Sequence, residues 1–160
     1  MEPRMDLFAH DIGARIGKGI FGIHRTIEEA GLSGVTRELV LLRVSQINGC
    51  GHCLDMHAEA AAAGETPVRL ALVAAWRHAT VFTEAERAAL ALAEEGTRIA
   101  DASPGVSDGT WAGVREHYDD DQIVALVALI AMINATNRIA VTLNSAGGSH
   151  RPGQLAELVG

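Results

Sequence analysis

Positive charge, long apolar runs, disorder-prone tracts and cysteine are all scarce in this chain, and each shortage removes a class of function. Lys and Arg number 13 against 20 Asp and Glu, giving a formal net charge of -7 and a pI near 5.4. The basic residues are scattered singly, so the surface repels phosphate backbones and nucleic acid is not an expected partner. The opening Met1-Glu2-Pro3-Arg4-Met5-Asp6 has no apolar stretch of the secretory-signal kind. The longest apolar run, Ile123 to Ile133, falls well short of the roughly 20 residues that span a bilayer. No membrane association is expected, and the cytoplasm is the default location. No polar or proline-rich tract argues for disorder. The only cysteines are Cys50 and Cys53. A reducing compartment disfavours structural disulfides, so a C-x-x-C pair there is expected to be redox-active or metal-binding.

What is present is enough for one core. At 160 residues with 48% hydrophobic content, a single domain over 1–160 is expected. No segment shows the alternation of a strand, and helical spacing recurs along the chain, so the fold class is all-α. Thr36 to Ile47 predicts a helix with a mixed, partly buried face, ended by Asn48-Gly49, which tolerate left-handed backbone. A second helix runs from about Cys50 to Gly64, making a helical hairpin. Pro67 starts a third, to about Trp76. Thr83 and Glu86 have the capping-box form and open a fourth, to about Ile99. Asp108 to Tyr118 is a short fifth helix, and Asp119-Asp120-Asp121 starts a long sixth, to about Asn144, before Gly147-Gly148. Leu7 to Ala30 holds one or two helices weakened by glycines at 13, 17, 19 and 22.

The hairpin carries the chemistry. Cys50 and Cys53 are spaced i, i+3 and Cys53 and His57 i, i+4, so all three share a helix face. An imidazole one turn from a thiol can take its proton, and a helix N-terminus favours a thiolate, so either sulfur gains acidity and local physics does not choose between them. Glu38, about 11 residues before the pivot, lies at a height near that of His57 and can orient its ring. The bland reading is a pair of buried apolar thiols. A zinc site would draw on Cys50, Cys53, His57 and either Glu38 or His52, but His52 points away on a regular helix. Haem attachment needs His where Leu54 stands, and a thioredoxin-like fold needs a preceding strand. His10, His24, His78, His117 and His150 read as surface groups. Trp76 and Trp111 read as core or interface, and Asn134, Asn137 and Arg138 as a subunit contact or site wall against an ordinary wet face.

Glu38, the run Ser45-Gln46-Ile47-Asn48-Gly49-Cys50-Gly51-His52-Cys53 and His57 together resemble the core of the alkylhydroperoxidase D / carboxymuconolactone decarboxylase family. The resemblance covers about 38–65, with Ile133 to Val141 similar to a further signature. It implies an all-helical subunit built on a central hairpin, and a thiol-dependent peroxidase or disulfide reductase, since the decarboxylase branch generally lacks the pair. Carried over, Cys53 is the peroxidatic thiol, Cys50 the resolving thiol, Glu38 and His57 the proton relay and His52 an auxiliary polar group. The implied partners are a hydroperoxide and a dithiol or lipoylated-protein reductant, with no cofactor and no metal, in a homo-oligomer, trimer or hexamer. The alternatives are a non-catalytic redox-sensing or zinc-binding module, and a carboxymuconolactone decarboxylase-like enzyme.

Overall fold

A computed structural model describes residues 2–62, 64–148 and 150, and among the described residues every regular element is helical. They are α1 (Asp11–Glu29), α2 (Gly34–Asn48), α3 (Gly51–Ala62), α4 (Pro67–Leu72), a short 3-10 helix (Val73–His78), α5 (Glu84–Thr97), α6 (Asp108–His117) and α7 (Asp120–Thr142). The starts follow their caps. Ser33, Thr66, Thr83, Ser107 and Asp119 each accept a hydrogen bond from a backbone N–H in the first turn that follows. Thr83 with Glu86 and Asp119 with Gln122 complete reciprocal capping boxes, each cap stabilising its helix by about 1 kcal/mol.

α2 is the axis of the molecule, packed against α3, α5 and α7. Its buried residues Leu39, Val40, Leu41, Leu42 and Val44 point all round the helix because it separates two apolar clusters. Val40, Leu41 and Val44 join Leu126, Leu129 and Ile133 of α7, whereas Leu39 and Leu42 join Val73, Trp76, Phe82 and Leu90. The helix has buried residues on two faces, while Arg37, Glu38, Arg43 and Gln46 stay only partly buried, which agrees with the mixed, partly buried face expected. The charges that suggested a wet side are used internally. Arg43 and Glu94 pair with side chains only 14% and 13% exposed, and Glu94 also accepts from Trp76 Nε1 at 2.9 Å and from Arg77.

Two expectations change. The helix predicted from Pro67 to Trp76 breaks into α4 and the 3-10 turn, with Ala75 outside helical geometry, and this bend seats Trp76 in the core at 3% exposure. The glycines of α1 do not interrupt it. A side chain at Gly13 would strike the Leu7 carbonyl oxygen at 1.8 Å, so that glycine permits the N-terminal segment to cross the helix. Trp111 is 45% exposed. α7, 23 residues long, is by length and apolarity capable of crossing a membrane. In this fold it packs against α2, α1 and α5 and carries buried Asn134 and Asn137 in its middle.

Candidate functional site: a bonded cysteine pair at a helix junction

The turn between α2 and α3 is set by Gly49, whose φ of 65° is the left-handed conformation glycine adopts without strain. Gly49 N–H donates to the Gln46 carbonyl at 3.3 Å and Cys50 N–H to that of Ser45 at 3.0 Å, the paired closure of a helix C-terminus. α3 therefore starts at once, with Cys50 just before its first residue. The Cys53 N–H donates to Cys50 Sγ at 3.3 Å, so the sulfur of Cys50 occupies the capping place that an oxygen usually fills. Cys50 and Cys53 are joined as a disulfide with a Cα separation of 5.4 Å. They are 1% and 2% exposed and belong to the same apolar cluster as Val44, Ile133 and Ala140.

One turn beyond Cys53, His57 Nδ1 lies 3.1 Å from Glu38 Oε2. The expected approach of Glu38 to His57 across the hairpin is thus a direct hydrogen bond, with side chains 25% and 16% exposed. A carboxylate only accepts, so Nδ1 carries the proton, and a neutral His57 keeps its lone pair on Nε2, free to act as a base elsewhere. The sulfurs are bonded to each other and His57 is engaged by Glu38, an arrangement chemically capable of thiol–disulfide exchange and proton transfer. His52 is half-buried, and no hydrogen bond among the described residues joins it to the pair or to Glu38.

Behind the turn, Asn48 Nδ2 donates to Asn134 Oδ1 at 3.0 Å and Asn137 Oδ1 at 2.9 Å, and Asn137 donates to Ser45 Oγ. Asn134 donates in turn to Thr97 and accepts from Arg138. The polar residues of α7 therefore latch it to the hairpin within one chain. A subunit contact for the two asparagines is corrected by their burial, since Asn137 is 0% exposed.

Two histidines read as surface groups are placed otherwise. His24 of α1 is half-buried near His57 and Glu38. Burial first, and then the neighbouring His57, hold its pKa below the ordinary 6.5, against the opposing pull of Glu28 and Glu38. Its signal in the sequence is the i, i+4 spacing to Glu28, which pairs with Arg37 at 3.5 Å and so fixes the face of α1 turned toward α2. His150 lies against α3, its Nε2 3.8 Å from Glu59.

Comparison with known proteins agrees with this geometry. The pattern of the carboxymuconolactone decarboxylase family matches residues 17–95. The uncharacterized protein YdfG of Bacillus subtilis (strain 168) is 38% identical over 133 residues, 82% of this chain and 89% of that protein. Among solved structures, ATU0492 of Agrobacterium tumefaciens, a protein of unknown function and candidate AhpD antioxidant defence protein, superposes with a TM-score of 0.83 at 31% identity. That superposition covers 93% of this chain and 100% of the other. The debrominase Bmp8 shares the fold with a TM-score of 0.70 at 20% identity, over 88% and 75% of the two chains.

Proposed function

Because the chain belongs to the AhpD-like carboxymuconolactone decarboxylase family, we propose that it is a thiol-dependent peroxidase or disulfide reductase working through Cys53 and Cys50. The observation that carries this reading is the 3.1 Å Glu38–His57 hydrogen bond one helical turn past Cys53, in a chain whose two cysteines are already paired. The similarity to ATU0492 supports it.

In the reduced state His57 Nε2 takes the Cys53 thiol proton, and Glu38 stabilises the imidazolium that results. The thiolate attacks the terminal, hydroxyl-bearing oxygen of a hydroperoxide, the O–O bond breaks, and the proton held by His57 passes to the departing alkoxide to give an alcohol. Cys53 is left as a sulfenic acid. The Cys50 thiolate, favoured by the Cys53 N–H and the start of α3, then attacks that sulfur and releases water, giving the disulfide. An external dithiol, free or as a lipoyl group on a protein, exchanges with it in two steps and restores both thiols. Such dithiols belong to reducing compartments, consistent with a cytoplasmic setting. His52 is at most an auxiliary polar group.

The reading extends to a homo-oligomer, a trimer or hexamer. Ile12, Ile16 and Ile23 of α1 and Val124 and Val127 of α7 stay between 40% and 68% exposed, apolar area that assembly would cover; light scattering on the purified protein measures the mass.

The test is stopped-flow oxidation of the reduced protein by cumene hydroperoxide with thiol counting and mass analysis. Wild type should lose both thiols to an internal disulfide, Cys50→Ser should stall as a sulfenic acid, and Cys53→Ser should be inert. Reaction no faster than free cysteine in all three, or a pair purified with bound zinc, would sink the reading in favour of a sensor or metal-binding module.

A further inference from the structure

A sealed disulfide poses a problem of access. With Cys50 and Cys53 at 1% and 2% exposure, no thiol or peroxide reaches either sulfur until some wall moves. Most of that wall is helix: α2 and α7 enclose the pair with core side chains and are tied together by the asparagine latch. The exception is the chain after α7. Residues 145–148 and 150 carry no regular structure, and they return across the first turn of α3. Gly147 lies so close there that a Cβ on it would sit 2.3 Å from the Gly51 carbonyl oxygen and 3.3 Å from the His52 nitrogen, the two residues that separate the cysteines.

Among the described residues, that segment is fastened to α3 chiefly through the Asp55 side chain. Asp55 Oδ2 accepts from Gly148 N–H at 2.7 Å and from His150 N–H at 2.9 Å, and the His150 ring stands 3.8 Å from Glu59. Asp55 and Glu59 are on α3 itself, so the segment is buckled to the helix whose start it covers. Irregular backbone among the described residues, held through Asp55 by hydrogen bonds at the surface and partly below it, makes it the part of the wall that opens at least cost.

We propose that residues 145–148 and 150 form a strap over the start of α3 that sets which thiols and peroxides, by size, reach the Cys50–Cys53 pair. It rests on the redox role of the pair but not on peroxide being the oxidant. In the reductive direction an entering thiolate bonds to one sulfur and expels the other as a thiolate. A second thiol then displaces the first donor as a disulfide, so two electrons and two protons pass to the protein. The strap governs the first of these steps, where the donor must fit beside the helix start.

Two variants loosen it from opposite sides. Asp55→Ala removes the buckle. Gly147→Ala unseats the strap, because its φ is not in the left-handed range and its new methyl would collide with backbone. Oxidised wild type and both variants are reduced under excess mercaptoethanol and, separately, glutathione, with acid quenching and mass analysis; circular dichroism confirms that each is folded. Losing hydrogen bonds to a charged group should speed reduction by about tenfold, with a larger gain for glutathione than for the small thiol. Rates unchanged in both folded variants, or equal gains for the two thiols, would overturn the size filter. Because no peroxide enters the assay, a failed peroxidase reading and a failed strap give different results.

Discussion

Replacing Glu94 by Gln tests whether charge pairing under α2 holds the fold that carries Glu38. The substitution keeps the size of the side chain and removes its charge. It leaves the Arg43 guanidinium, 14% exposed, with only neutral acceptors, the new amide oxygen and Gln46 Oε1 at 3.3 Å. Breaking a buried ion pair costs about 3–5 kcal/mol. Both side chains retain slight exposure, and Arg77, 52% exposed, rehydrates freely, which places the expected loss at the low end, about 3 kcal/mol. For a chain of this size that lowers Tm by roughly 6–12 °C, read by thermal circular dichroism at neutral pH. The pH dependence supplies a second reading. Burial raises the Glu94 pKa, but hydrogen bonds from Trp76, Arg43 and Arg77 outweigh it and hold the carboxyl below its ordinary 4.5. A depressed carboxyl stabilises the fold above its unfolded pKa, and that contribution disappears as pH falls through the folded value. Wild type and variant should therefore converge on acidification below about pH 4.5. A Tm change under about 2 °C at neutral pH would refute the reasoning.

Glu38→Gln should slow the reaction of Cys53 with hydroperoxide by about 10–100-fold, since His57 loses the acceptor that orients it and stabilises its cation; stopped-flow measures it while Tm stays near wild type. His24 has a folded pKa below its unfolded 6.5, so the unfolded chain binds more protons and stability falls as pH drops from above 6.5 through the folded pKa. Urea midpoints between about pH 7.5 and pH 5.5 should therefore fall less in His24→Gln than in wild type, and parallel curves would contradict this placement. Asn137→Leu leaves Asn48 and Ser45 short of a partner in a buried network and should cost about 1–3 kcal/mol, visible as a lowered urea midpoint.

The cysteine-bearing hairpin is legible in the sequence because everything that defines it is local. Asn48-Gly49 announces the turn, and the i+3 and i+4 spacings from Cys50 to Cys53 to His57 fix a face. Similar heights above the turn bring Glu38 to His57. Features that depend on distant packing are not legible in the same way. Arg43 looks like a solvent-facing residue until Glu94, 51 residues on, arrives opposite it. The kink at Ala75 has no glycine or proline to mark it. Gly147 reads as the end of a long helix, whereas α7 stops at Thr142 and this glycine serves contact with Gly51. Asn134 and Asn137 stand out as polar in an apolar helix, yet only the folded partner Asn48 decides that they face inward.

The placement of both cysteines in one helical turn bears on what their oxidation can communicate. Their Cα atoms stand 5.4 Å apart with a separation of three residues, the ordinary spacing of such neighbours on a helix. The crosslink closes almost no loop, so it withdraws little entropy from the unfolded chain and ties no distant elements together. Such a bond can be made or broken by side-chain rotations alone, with no displacement of the surrounding helices required. A redox state with so short a lever arm is poorly suited to moving a partner surface and well suited to repeated turnover, because each cycle begins from the same scaffold.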